Sequence, residues 1–197
     1  LIGKEPCENA KITEYAEVLV RQSVRLKRLI EDLVEASKAS TGNLEVCLQP
    51  CNASVFLIQA DGEYEEKLKK ADLTLVVQQS ESEIRILADG RRMWRVFDNL
   101  MNNICKYAQP GTRVYLILEK KEKKAVITFK NTSREALNIS EEELMERFVR
   151  GDSSRNTEGN GLGLSIARSL TELQKGTMNI QIDGDLFKAV LEFPVIE

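Results

Sequence analysis

Histidine is absent from all 197 residues. That omission excludes a Ser-His-Asp triad, a Cys-His dyad and any histidine-ligated zinc. Cysteine is sparse: Cys7, Cys47, Cys51 and Cys105 stand at irregular spacing, and Cys105 falls inside a helical pattern. The four read as structural thiols of a reducing compartment, not as a metal site or a disulfide framework. Long apolar runs are also missing. The longest, such as VYLIL at 114–118, hold five residues, whereas a membrane-spanning helix needs about 20, and no signal peptide is visible. Nor is positive charge in excess. The 28 Lys and Arg against 31 Asp and Glu give a net charge of −3 and a pI near 5.4, which leaves no electrostatic footprint for a nucleic-acid backbone.

What is present suits one globular domain with an appendage, since 42% of residues are hydrophobic and 30% charged. From residue 12 to about 39, apolar residues recur at heptad spacing (Ile12, Leu19, Leu26, Leu33), with a second set at Tyr15, Leu29 and Ala36. Charged residues fill the positions between, so the segment predicts a long helix meant for a bundle with other helices. ASTGN at 39–43 ends it, with Gly42 at its C-terminus. Beyond it, the pattern predicts a helix over 53–70, strands over 73–79 and 84–88, and a helix over 91–108. On that last helix Trp94, Phe97, Met101, Ile104 and Cys105 share an apolar stripe. Two alternating strands follow, RVYLILEK and KAVITFKN, joined by a charged turn at 120–124. Periodicity then lapses over 131–160 apart from a short helical stretch around EEELMERFVRGD, a length that marks a functional lid. A helix to about residue 175 and a hairpin turned at Gly184 close the chain. The expected fold is α+β, a two-layer sandwich with a mixed, mainly antiparallel sheet covered by helices, plus the long N-terminal helix.

Two features carry chemistry. GNGLGLSIAR at 159–168 runs from glycines directly into a helix. Backbone N–H groups at a helix start, approached through glycine, make a phosphate cradle. The spacing is neither the G-x-G-x-x-G of a dinucleotide fold nor a Walker loop. On the helix at 91–108, Asn99 and Asn103 share a face, with Asp98, Asn102 and Lys106 close by. Asparagine is disfavoured inside helices, and its amide oxygen is a hard ligand suited to Mg²⁺ beside substrate phosphates.

Three segments in register, NLMNNICKY at 99–107, ERFVRGDSSRN at 146–156 and GNGLGLSIA at 159–167, resemble the asparagine, phenylalanine and second glycine boxes of bacterial sensor histidine kinases. These belong to the gyrase, chaperone and histidine-kinase superfamily. QSVRLKRLIEDLVEASKAS at 22–40 is similar to the second helix of that family's dimerisation and phosphotransfer hairpin. The resemblance implies a remnant of the hairpin over 1–43 and an ATP-binding catalytic domain over 44–197, with ATP and Mg as cofactors. It implies that Asn103 ligates Mg²⁺ beside Asn99, that Lys106 lies near the phosphates and that Tyr107 lines the pocket. Gly159, Gly161, Leu162 and Gly163 match the glycine box at the phosphates, and Arg147, Phe148 and Arg150 match the lid.

The expected partners are a response regulator and a second copy through the hairpin, with no nucleic acid and no membrane contact by this segment. The segment is expected to be cytoplasmic, and the longer protein can be membrane-anchored. Two departures stand out. KNTSREAL, with Asn131, replaces the Asp-x-Gly-x-Gly whose aspartate reads adenine. The phosphoacceptor histidine is also missing, so the acceptor helix is expected to precede this sequence, which alone would not autophosphorylate. Two other classes compete. A related ATPase or serine kinase would carry a carboxylate at Asn99. A weakly nucleotide-binding interaction module would explain the altered first box and the heptad helix.

Overall fold

The computed structural model describes residues 10–40, 44–80, 83–137 and 162–196. Helix α1 (Ala10–Ser40) is followed by β1 (Gln49–Asn52), α2 (Ser54–Lys70), β2 (Leu73–Gln79), β3 (Arg85–Ala88) and α3 (Gly90–Tyr107). Then come β4 (Thr112–Lys121), β5 (Lys124–Thr132), α4 (Gly163–Leu173), β6 (Thr177–Asp183) and β7 (Leu186–Pro194). The main sheet has the order β2-β4-β5-β7-β6. Only β2 and β4 run parallel; the other pairs are antiparallel. The fold is therefore α+β with a mixed, mainly antiparallel sheet. The expected elements fall within a residue or two of their observed bounds, and β1, which pairs with β3, was not expected.

Alternation explains the strands. In β4, Val114, Leu116 and Leu118 are buried while their neighbours are not, as a strand with one face on the core requires. Central β5 is buried along Ala125, Val126, Ile127, Thr128 and Phe129. Phe97 of α3 is the hub beneath it. Its ring meets Phe129 edge-on at 5.0 Å and lies 5.7 Å from Phe56 of α2. Phe97, Met101 and Ile104 are fully buried, whereas Trp94 and Cys105 of the expected stripe lie half-buried at its margins.

The start of α3 is tightly specified. Asp89 caps it, its carboxylate accepting from the backbone N–H groups of Arg91 at 3.0 Å and Arg92 at 3.1 Å. The other oxygen accepts the Cys47 N–H at 3.0 Å. Asp89's own N–H donates to the side chain of buried Gln174 just beyond α4 at 2.9 Å, and that side chain donates to the Leu170 carbonyl at 2.8 Å. One acidic residue thus joins the segment before β1, the start of α3 and the end of α4.

Helix α1 packs against α4, with Ala16 buried. Its heptad residues Ile12, Tyr15, Leu19, Leu26 and Leu33 are exposed. Gly42 lies outside the described residues, as does the short helical stretch expected within the lid.

Candidate functional site

Helices α3 and α4 lie side by side, and one contact between them joins the two motifs. A Cβ placed on Gly163, the first residue of α4, would stand 3.3 Å from the Asn99 side-chain oxygen. Asn99 is held in place from its other end, where its amide nitrogen donates to the Arg95 carbonyl at 2.9 Å. The amide oxygen is therefore turned toward the α4 start by an internal helix bond.

Among the described residues no side chain caps that helix start. Leu162 precedes it in a helical conformation with no capping hydrogen bond, and the first turn holds no acidic residue. The first N–H groups of α4 have no intrahelical acceptor, and together with the helix dipole they favour an anion. The Leu162 carbonyl accepts from the Ile166 N–H and the Ser165 hydroxyl, both at 2.9 Å, which fixes the first turn.

Asn103 lies one turn beyond Asn99 and is half-buried; Lys106 is exposed and Tyr107 half-buried. Among the described residues no group of three His, Cys, Asp or Glu forms a metal site. A cation here would be met by amide and phosphate oxygens, a donor set that suits Mg²⁺. The neighbours expected close by divide. Asp98 turns to α2, where it accepts from the buried Tyr64 hydroxyl at 2.5 Å. Asn102 also faces α2, its oxygen accepting from Lys67 at 3.4 Å.

The far end of α3 is tied to the end of β5. The Gln109 N–H donates to the Thr132 carbonyl at 2.9 Å, the Arg134 N–H donates to the Tyr107 carbonyl at 2.8 Å, and Ala108 bridges to Ser133. Asn131 sits at this junction, 4% exposed. From Asn99 to Tyr107, α3 advances about 12 Å at 1.5 Å per residue, so the uncapped start of α4 and Asn131 stand at opposite ends of one α3 face. Arg147, Phe148, Arg150, Gly159 and Gly161 lie outside the described residues.

Three groups near these helices are shifted from their ordinary values. Burial first, then the hydrogen bond and charge of Asp98, push the Tyr64 hydroxyl far above its ordinary value. Asp89 is partly desolvated, but the N–H donors of Cys47, Arg92 and Arg91 more than offset this and hold it below the usual carboxylate value. Burial pushes the Cys105 thiol up, against the opposing charge of Lys67. Sequence reasoning missed the Asp89–Gln174 tie and the Tyr64–Asp98 bond. The aspartate just before the run at 90–107 was a legible helix-cap signal; Gln174 carried none.

Residues 88–195 match the histidine kinase-, DNA gyrase B- and HSP90-like ATPase family, and the chain belongs to it. Among curated relatives, the sensor histidine kinase RppB of Synechocystis is 28% identical over 190 residues, covering 94% of this chain but 41% of RppB. The chain thus spans about two-fifths of that relative's length. Among solved structures, full-length ShkA in complex with AMPPNP superposes with a TM-score of 0.83 at 20% identity, covering 98% of this chain and 41% of ShkA. The histidine kinase ThkA in complex with response regulator protein TrrA gives 0.72 at 18% identity, over 99% of this chain and 55% of ThkA. At these identities the structures establish the fold. No helix among the described residues is long and apolar enough to cross a membrane.

Proposed function

We propose that residues 44–197 bind Mg-ATP as the catalytic domain of a two-component sensor histidine kinase and donate the γ-phosphoryl group to a histidine outside these 197 residues. The observation that carries this reading is the convergence of Asn99 on the uncapped start of α4 at Gly163. It brings the hard-oxygen face and the phosphate cradle together from segments some 60 residues apart in sequence.

In this reading Asn103 holds the cation. Asn99 and the first N–H groups of α4 orient the phosphate oxygens, Lys106 adds positive charge, and Tyr107 and Asn131 border the base. Asn103 would hold Mg²⁺, which when bound would supply Lewis-acid neutralisation of the phosphate charge. Gly159 and Gly161 extend the cradle by their place in the motif, and Arg147, Phe148 and Arg150 close over the nucleotide. Water activation is disfavoured. Asn99 offers an amide where hydrolysis needs a base, and the adjacent carboxylate, Asp98, is engaged by Tyr64 on the α2 flank.

Residues 1–43 act in this reading as the second helix of the dimerisation hairpin. The exposed heptad face of α1 pairs with a second copy, and a response regulator receives the phosphoryl group, as ThkA's complex with TrrA suggests by analogy. Calorimetric titration with a non-hydrolysable ATP analogue, with and without Mg²⁺, tests the site. Binding should be lost in Asn103→Ala and weakened far less in Arg150→Ala. Absence of binding at millimolar nucleotide sinks the proposal.

A further inference from the structure

The start of α3 carries no part of the proposed nucleotide site, yet its surface is concave and charged. A concavity of about 380 Å³ there is lined by Arg91, Arg92, Trp94, Arg95 and Asp98. Three guanidinium groups thus stand within five positions of a chain whose net charge is −3. The carboxylate among them is already engaged, because Asp98 accepts from the Tyr64 hydroxyl and pairs with Arg95 at 3.5 Å. Asp89, beside Arg92, is likewise occupied by the backbone N–H groups of Cys47, Arg91 and Arg92. The concavity therefore presents an excess of positive charge.

Most of these side chains are already partly fixed. Arg92, Trp94 and Arg95 are half-buried, and the Trp94 ring lies near-parallel to that of Phe97, 20° between planes and 6.4 Å between centroids. Ordering them on binding therefore costs little, and Arg and Trp are the residue types enriched where protein partners bind most strongly. Spacing selects the partner. Arg91 and Arg95 are four positions apart, about 6 Å along α3, which is the spacing of glutamates at i and i+4 of another helix. Guanidinium forks set one turn apart suit a row of carboxylates better than one compact anion. We infer that this concavity docks an acidic helix of a partner protein, with carboxylates on Arg91 and Arg95 and an apolar side chain between them on Trp94.

Trp94 is the only tryptophan in the sequence, so its fluorescence reports on this surface directly. The 197-residue chain is titrated with an alanine-based helical peptide carrying Glu at i and i+4 with Leu between them, and with its Gln counterpart. The Glu peptide should shift the emission saturably, more weakly as salt rises, and should bind at least about tenfold more tightly than the Gln peptide. Arg91→Glu places an acidic residue in the first turn of α3, which suits the helix dipole, so the variant should fold and bind the Glu peptide about tenfold or more weakly. Arg91→Gln should weaken binding by about two- to fivefold. No saturable shift at millimolar peptide, equal binding of the two peptides, or undiminished binding in Arg91→Glu overturns the inference. So does a saturable shift with inorganic pyrophosphate in the Asn103→Ala chain that matches the Glu peptide's, which would make this a small-anion site. None of these outcomes bears on the Mg-ATP reading, which its own titration decides.

Discussion

Gly163→Ala isolates the contact that joins α3 to α4. Gly163 is not among the positive-φ glycines, so alanine fits its backbone and narrows the unfolded ensemble, a gain of about 0.4–1 kcal/mol. Against this, the new methyl would stand 3.3 Å from the Asn99 oxygen, a few tenths of an ångström too close. Asn99 cannot yield freely, because its nitrogen is held at 2.9 Å to the Arg95 carbonyl. The two effects nearly cancel, and stability should stay within about 1 kcal/mol of wild type. Binding should not. On the proposed role of Asn99, displacing its amide from the phosphates loses a hydrogen bond to a charged group, worth about 1.5–3 kcal/mol, so nucleotide affinity should drop by roughly ten- to a hundredfold. A double-mutant cycle with Asn99→Ala, read by calorimetry, checks the cause. In the Asn99→Ala background the methyl has room, and the penalty of Gly163→Ala should shrink to about threefold or less. An undiminished penalty there would refute the role given to Asn99 and place the clash on the nucleotide itself.

Other substitutions probe the framework. In Asp89→Asn the cap geometry survives but the charge is lost, so the variant should be less stable by about 0.5–1 kcal/mol near pH 6. Because Asp89 is held below its ordinary value, its contribution is complete above the unfolded pKa of about 3.9 and fades as pH falls through the lower folded value. Urea midpoints of the two proteins should converge in acid, and a constant gap down to about pH 2 would count against this cap. Gly176→Ala would drive a Cβ to 2.5 Å from the buried Phe193 ring and should cost about 1–3 kcal/mol; an unchanged urea midpoint contradicts it. Tyr64→Phe removes the donor to Asp98 and should cost about 1.5–3 kcal/mol. Since that bond lies on the α2 flank, nucleotide affinity should change less than twofold, and a larger fall would return Asp98 to the site.

The elements of this fold were legible where local pattern and final burial agree. The alternation within 112–121 and the stripe on 91–108 each report the face that meets the core. β1 was illegible because QPCN is four residues long, shows no alternation and contains Pro50. The parallel pairing of β2 with β4 was illegible for a different reason. Their register spans β3 and the whole of α3, and no local signal reports a contact at that separation. At the site, the pairing of Asn99 with the glycine segment could be argued from motif order. Which flank Asp98 and Asn102 take could not be read from spacing alone. Adjacent helix positions differ by about 100°, and which flank met α2 was decided by Tyr64 and Lys67, residues without a distinctive pattern.

The order of strands in the main sheet sets the sequence of events during synthesis. β7 is the last strand to emerge, yet it lies between β5 and β6 and is bonded to both. Until it arrives, the nascent sheet is β2-β4-β5, ending in an open edge lined by the apolar run of β5. A chain that folds from its N-terminal end during translation therefore carries a ready template for foreign strands until β7 has emerged. α4, which carries Gly163, rests on β6 as well as on α3, and β6 joins the sheet through β7 alone. The proposed nucleotide site therefore gains its full support only late.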